Sequence, residues 1–171
     1  MSLKRKIKNN ELTIGTWITI NNPLIPDILS SAGFDWLCVD MEHSAIDLND
    51  LMLLIISIEN NKIYPLVRVG ENDPNLIKRV MDIGAYGVIV PNVNNENDAI
   101  KAVNSVKYPP KGKRGMGLFR AQKFGNKFQS YLNWVKKDSV VIIQIEHIEA
   151  VNNIEKIFSV KDIDGYFIGP Y

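Results

Sequence analysis

The stretch Phe34 to Ser44, FDWLCVDMEHS, ends an apolar run in a close group of ionisable side chains, Asp40, Glu42 and His43. In parallel α/β proteins the loops at the C-terminal ends of strands build the active site, so carboxylates and an imidazole at that end of a hydrophobic run have a functional reading. The same residues also suit a helix start, because Asp and Glu stabilise the N-terminus of a helix such as the one expected from Leu48. Other apolar runs carry similar signals: Trp17 in the first, Arg68 in PLVRV, and Glu146 at the end of IIQIE. An arginine inside a central parallel strand is costly unless it is paired or reaches a solvent-filled cavity. Cys38, inside the same run as Asp40, reads as core.

These side chains need elements to hold them. Lys4 to Asn10 reads as a short polar helix or arm that caps the bottom of the fold. Strand-like segments follow at Leu12 to Ile20, Phe34 to Met41, Tyr64 to Val69, Tyr86 to Val93, Val140 to Ile145 and Tyr166 to Gly169. Between them lie helical patterns: from Pro23 to about Gly33, Leu48 to Asn60, Asp73-Pro74 to about Gly84, Glu96 to Tyr108, Phe128 to Lys137, and Glu149 to Phe158. Pro109 to Gly125 fits no element. It is rich in proline and glycine in a basic background, and loops of that length in compact domains are usually functional or disordered.

Strands alternating with helices define an α/β repeat, and two architectures compete, an open doubly wound sheet and a (β/α)8 TIM barrel. Ile20-Asn21-Asn22-Pro23 is nothing like the Gly-rich phosphate turn of a dinucleotide-binding sheet. Candidate residues spread over several strand ends favour the barrel, where every strand end faces one mouth.

The sequence has 171 residues, 46% hydrophobic, which suits a single domain over residues 1–171. A net charge of +1 gives no global field that would draw nucleic acid or an anionic membrane. Half of the 20 Lys+Arg residues nevertheless fall between Ala99 and Lys137, a stretch without Asp or Glu. Such a block is a solvated face or a positive rim for an anionic substrate. The lone cysteine allows no internal disulfide, and the basic start is interrupted at Glu11 before Asn21-Asn22-Pro23, a poor cleavage site. A cytoplasmic setting is expected, and no apolar run is long enough to span a bilayer.

The blocks FDWLCVDMEHS, PLVRV, GAYGVIVPNV, YPPKGKRGMGLFRAQKFG, IIQIEHIEAVNNIEKI and DGYFIGPY, in this order, resemble the HpcH/HpaI family of metal-dependent class II aldolases. The resemblance implies a TIM barrel of the phosphoenolpyruvate/pyruvate type, with about six βα units in this chain. It also implies reversible cleavage of a 4-hydroxy-2-oxo acid or 2-dehydro-3-deoxy sugar acid to pyruvate, as enolate, and an aldehyde. Glu146 matches the family's ligand to a divalent cation (Mg, Mn or Co). Arg68 matches the arginine that pairs with pyruvate, and His43 the active-site histidine, with Asp40 as its orienting partner. Trp17 and Gln144 match pocket-lining residues, Gly169 and Pro170 lie in the GP run, and Asp82 matches an acidic residue near the site. Arg120, with Arg114, is expected to shape acceptor specificity. A core ion pair for Glu146, simple packing for Trp17 and a structural role for His43 are the competing readings. The family pattern continues past Tyr171 with an Asp, the second carboxylate ligand, and two further βα units, so the sequence is expected to lack the C-terminal part. It also implies a homo-oligomer, a hexamer built as a trimer of dimers. The alternative function is a catalytically inactive homologue that binds an oxo acid or serves assembly.

Overall fold

The computed structural model describes residues 1–169. Its strands are β1 (Gly15–Ile18), β2 (Trp36–Asp40), β3 (Tyr64–Arg68), β4 (Gly87–Val90), β5 (Val140–Ile145) and β6 (Gly165–Ile168). All five neighbouring pairs are parallel, and the order in the sheet is the order in the chain. Parallel crossovers are right-handed, so a sheet that always steps the same way puts every crossover on one face and curls. The curl is visible in one contact. Trp17 on β1 and Phe167 on β6 stand on opposite edge strands, yet their ring centroids are 5.4 Å apart.

The crossovers are α2 (Leu24–Ser30), α3 (Leu48–Asn60), α4 (Pro74–Ile83), α5 (Glu96–Val106), α6 (Phe128–Lys137) and the pair α7 (Ile148–Asn152) and α8 (Ile154–Ser159). Local chemistry starts them. Asp47 forms a capping box with Asp50 ahead of α3, Asp73 caps α4 directly before Pro74, and Asn95 caps α5. The expected single helix from Glu149 to Phe158 is two. Asn153 interrupts it, with its side-chain amide donating to the carbonyls of Asn94 and Glu149.

Alternation along the strands separates two cores. Leu37, Val39, Val67, Val88, Val141 and Ile143 face the helices and pack on residues such as Leu54, Ile77 and Met81. Burying each such side chain contributes about 1.5–3 kcal/mol. Cys38, Leu66 and Ile89 point into the concave side, where Leu3 meets them from α1 (Leu3–Lys8). The expected basal arm is thus in place: Lys4 Nζ reaches the Ser139 carbonyl and the Asp164 carboxylate, each at 2.9 Å. Among the described residues no helix is long and apolar enough to cross a membrane.

Candidate active site

Asp40 and Arg68 end β2 and β3 and are register partners, so their side chains stand side by side at the C-terminal rim of the concave face. They form a two-pronged ion pair, Nε to Oδ1 at 2.9 Å and Nη2 to Oδ2 at 2.6 Å. This pairing answers the cost of an arginine in a central strand. Asp40 Oδ1 also accepts the backbone N–H groups of Glu42 (3.0 Å) and His43 (3.3 Å), and the Ser44 hydroxyl donates to the Asp40 carbonyl. The carboxylate therefore folds the turn after β2 as well as clamping Arg68. Burial alone would raise the Asp40 carboxyl, but Arg68 and the two N–H groups outweigh it and hold it below the usual carboxylate range. The Trp17 ring covers the guanidinium, 4.6 Å from Cζ to the centroid.

The Asp40–His43 side-chain pair expected from the sequence is not formed. Asp40 is turned to Arg68, and it meets His43 only at the backbone. The imidazole sits at the rim with 70% of its side-chain surface exposed, 3.7 Å from Glu42. Glu42, to which sequence reasoning gave no role of its own, is the residue that the geometry adds. Its side chain is 11% exposed, and Oε2 lies 3.3 Å from Arg68 Nε. That oxygen has no hydrogen-bond partner among the described residues. Burial pushes the carboxyl up; Arg68 and His43 oppose this, while Glu146 and Asp40 add to it. The signal was present in the sequence as a second carboxylate two residues beyond Asp40.

Across the mouth, Gln144 lies near the end of β5 and Glu146 just beyond it. Glu146 Oε1 accepts the Asn92 N–H at 2.7 Å, and Oε2 accepts Gln144 Nε2 at 2.6 Å. Gln144 is buried and its Oε1 has no partner among the described residues. Gly169 packs on this amide so closely that a Cβ would stand 2.9 Å from Nε2. Pro170, also singled out in the sequence, lies outside the described residues.

Two expected site residues are elsewhere. Asp82, on α4, binds Arg114 at 2.5 Å on the outer, helical side of the sheet. Arg120 donates to the Ile83 carbonyl and pairs with Glu59, at the C-terminal ends of α4 and α3, the pole opposite the mouth. Arg114 is itself buried, its guanidinium 4.7 Å from the Tyr108 ring centroid and 5.6 Å from that of Tyr131. Within this chain the basic loop crosses the outside of the helices and does not enter the mouth.

A curled, all-parallel α/β sheet with an arginine–carboxylate clamp and unpartnered Glu42 and Gln144 oxygens at its C-terminal rim has the layout of barrel-type enzymes. The chain belongs to the HpcH/HpaI aldolase/citrate lyase family, whose model matches residues 13–171. It is 36% identical over 168 residues to a 5-keto-4-deoxy-D-glucarate aldolase of Citrobacter koseri, covering 98% of this chain and 65% of that protein. The chain thus spans somewhat less than two thirds of the length of the curated relatives it matches. Among solved structures, a HpcH/HpaI aldolase/citrate lyase family protein from Burkholderia cenocepacia superposes with a TM-score of 0.92 at 32% identity, over 98% of this chain and 68% of that one. The citrate synthase SbnG gives 0.87 at 30% identity, over 98% and 65%.

The family is divalent-metal-dependent. The donor chemistry here suits a hard cation: Glu146 carries a carboxylate, and the orphaned oxygens of Gln144 and Glu42 face the same mouth. Among the described residues no group of three or more His, Cys, Asp or Glu is close enough to hold a metal ion by itself. Magnesium and manganese are commonly held by one or two carboxylates, with substrate and water completing the shell.

Proposed function

We propose that this chain forms the pyruvate-binding half-site of a metal-dependent class II aldolase, which cleaves a 4-hydroxy-2-oxo acid or 2-dehydro-3-deoxy sugar acid to pyruvate and an aldehyde. The observation that carries the reading is the Asp40–Arg68 clamp. It engages Nε and Nη2 and leaves Nη1 without a partner among the described residues, at the rim across the mouth from Gln144 and Glu146. A guanidinium fixed in this way is ready to hold a 2-oxo acid carboxylate and the negative charge that develops as its enolate forms. Trp17 shields the guanidinium from water and strengthens that interaction. His43 Nε2, exposed at the rim, takes and returns the proton at pyruvate C3 or at the aldehyde oxygen. Gln144 holds the Glu146 carboxylate in place for the cation. The cation, when bound, supplies Lewis-acid polarisation of the 2-oxo group.

The acceptor is a short oxygenated aldehyde in this reading, in keeping with the keto-deoxy-glucarate name of the curated relatives. The solved citrate synthase relative favours a second reading, in which such a mouth joins carbon chains into a polycarboxylate. A homo-oligomer and a cytoplasmic setting complete the proposal, the first measurable by light scattering.

Oxalate, a planar mimic of the pyruvate enolate, tests the reading by calorimetry. Binding that needs magnesium or manganese and disappears in Glu146→Gln is the expected result. Equal binding with chelator present and in the variant would replace the aldolase reading with a metal-independent binding protein.

A further inference from the structure

A cavity of about 500 Å³ lies not in the mouth but at the opposite pole, by the N-terminal ends of β3 and β4. Its floor is aromatic. Tyr64, Tyr86 and Trp134 are linked by ring contacts of 4.5 Å and 5.2 Å, and Tyr131 stacks on Trp134 at 5.4 Å with 20° between the planes. Its rim is basic, formed by Lys62, Lys123 and Lys127. None of these three lysines forms an ion pair among the described residues. Glu59, which also lines the cavity, is already matched by Arg120.

Two of the lysines stand where the backbone disfavours them. Lys62 (φ 59°) and Lys123 (φ 52°) are left-handed, and Lys62 is the residue that closes α3, its N–H bonded to the Glu59 carbonyl while Ile63 N–H reaches Ile58. Glycine or asparagine is the usual solution at such a helix end. A side chain kept against a local backbone preference points to a role for that side chain, and here both such lysines face one cavity. The adjoining N-terminus of α6 has no acidic residue in its first turn and no side-chain cap, which adds to the positive potential.

We propose that this basal cavity binds a flat ring carrying a phosphate monoester, with the ring packed face-on to one of Tyr86 and Trp134 and edge-on to the other, their planes standing 75° apart, and the phosphate among the three lysines. Its volume lies in the range of small-molecule sites. Aromatic stacking provides ring affinity, and lysine ammoniums supply the compact charges that phosphate takes.

Adenosine 5′-monophosphate, adenosine and inorganic phosphate serve as probes in calorimetry on the full chain. The monophosphate should bind at least about tenfold more tightly than either fragment. In Lys62→Gly/Lys123→Gly its affinity should fall at least about tenfold while the melting temperature holds or rises, because glycine suits both backbone positions. That combination separates lost binding from lost folding. No heat from any probe at millimolar concentration, a monophosphate no tighter than inorganic phosphate, or undiminished binding in the glycine variant would each overturn the proposal.

Discussion

The two poles of the sheet use the same kinds of side chain to opposite ends. At the base, Lys4 is bound by Asp164 and the Ser139 carbonyl, and Lys107 donates to the carbonyls of Ser139 and Val135 and to the Ser139 hydroxyl. Asp164 in turn accepts the Val141 N–H at 3.0 Å. At the mouth, Asp40 satisfies one side of Arg68, while Glu42 Oε2 and Gln144 Oε1 are left without partners. A buried polar group left open costs stability, so the Lys4–Asp164–Lys107 network fastens the base of the sheet, while the buried open oxygens at the mouth are available to a ligand. Residue type alone does not separate the fastened Lys4 and Lys107 from Arg68, whose guanidinium keeps an open edge at the mouth.

The comparison can be broken at either pole. The largest effect is expected from Arg68→Met, which removes the free guanidinium edge: pyruvate enolisation should slow by about 10³-fold or more, measured by methyl proton exchange. A loss below tenfold would return Arg68 to a structural role. Next comes Asp164→Ala at the base, which strands the buried Lys4 ammonium and should cost about 3 kcal/mol or more in urea unfolding. A cost under about 1 kcal/mol would show that the basal network is not the fastening described.

Lys107 gives a pH test of the same pole. Burial and then the Lys4 ammonium push it from 10.5 down to about 7. Between those values the unfolded chain binds the proton that the folded chain has lost, so the contribution is complete above about pH 10.5 and is lost as pH falls toward 7. Stability should therefore rise from pH 7 to pH 9.5, and Lys107→Met should flatten that rise. An identical slope in the variant would remove Lys107 from the account. The smallest effect sharpens the mouth. Glu42→Gln removes a mostly buried carboxylate whose Oε2 sets a 3.3 Å ion contact with Arg68 against the cost of burial, and should change stability by no more than about 1 kcal/mol. A loss above about 1 kcal/mol would mean that Glu42 serves the fold.

Much of this layout could be read from local pattern. Leu48–Asn60 was bounded by its periodicity and α4 by Asp73-Pro74, and both stand where the residues placed them. Strand positions were also legible, although β1 is shorter than the Leu12 to Ile20 run suggested, with Leu12 and Ile20 exposed beyond its ends. What local pattern could not carry was partnership across the chain. Asp40 is paired to Arg68 by strand register, and that register is set by the whole sheet, whereas its expected pairing with His43 rested on the family resemblance. The break between α7 and α8 depends on Asn94, far away in sequence. Asp82 and the basic loop were drawn toward the mouth by charge and resemblance; the acids that meet Arg114 and Arg120 lie on the outer helices.

We propose activation of a 2-oxo acid at the mouth with the help of a cation at Glu146. It is tested most directly by incubating the purified chain with pyruvate in D₂O, with and without manganese or magnesium, and following the methyl proton signal by NMR. Metal-dependent loss of that signal, abolished in Glu146→Gln and retained in Arg120→Ala, is the expected result, since Arg120 is held at the far pole. Exchange that is independent of metal, or unaffected by Glu146→Gln, would contradict it.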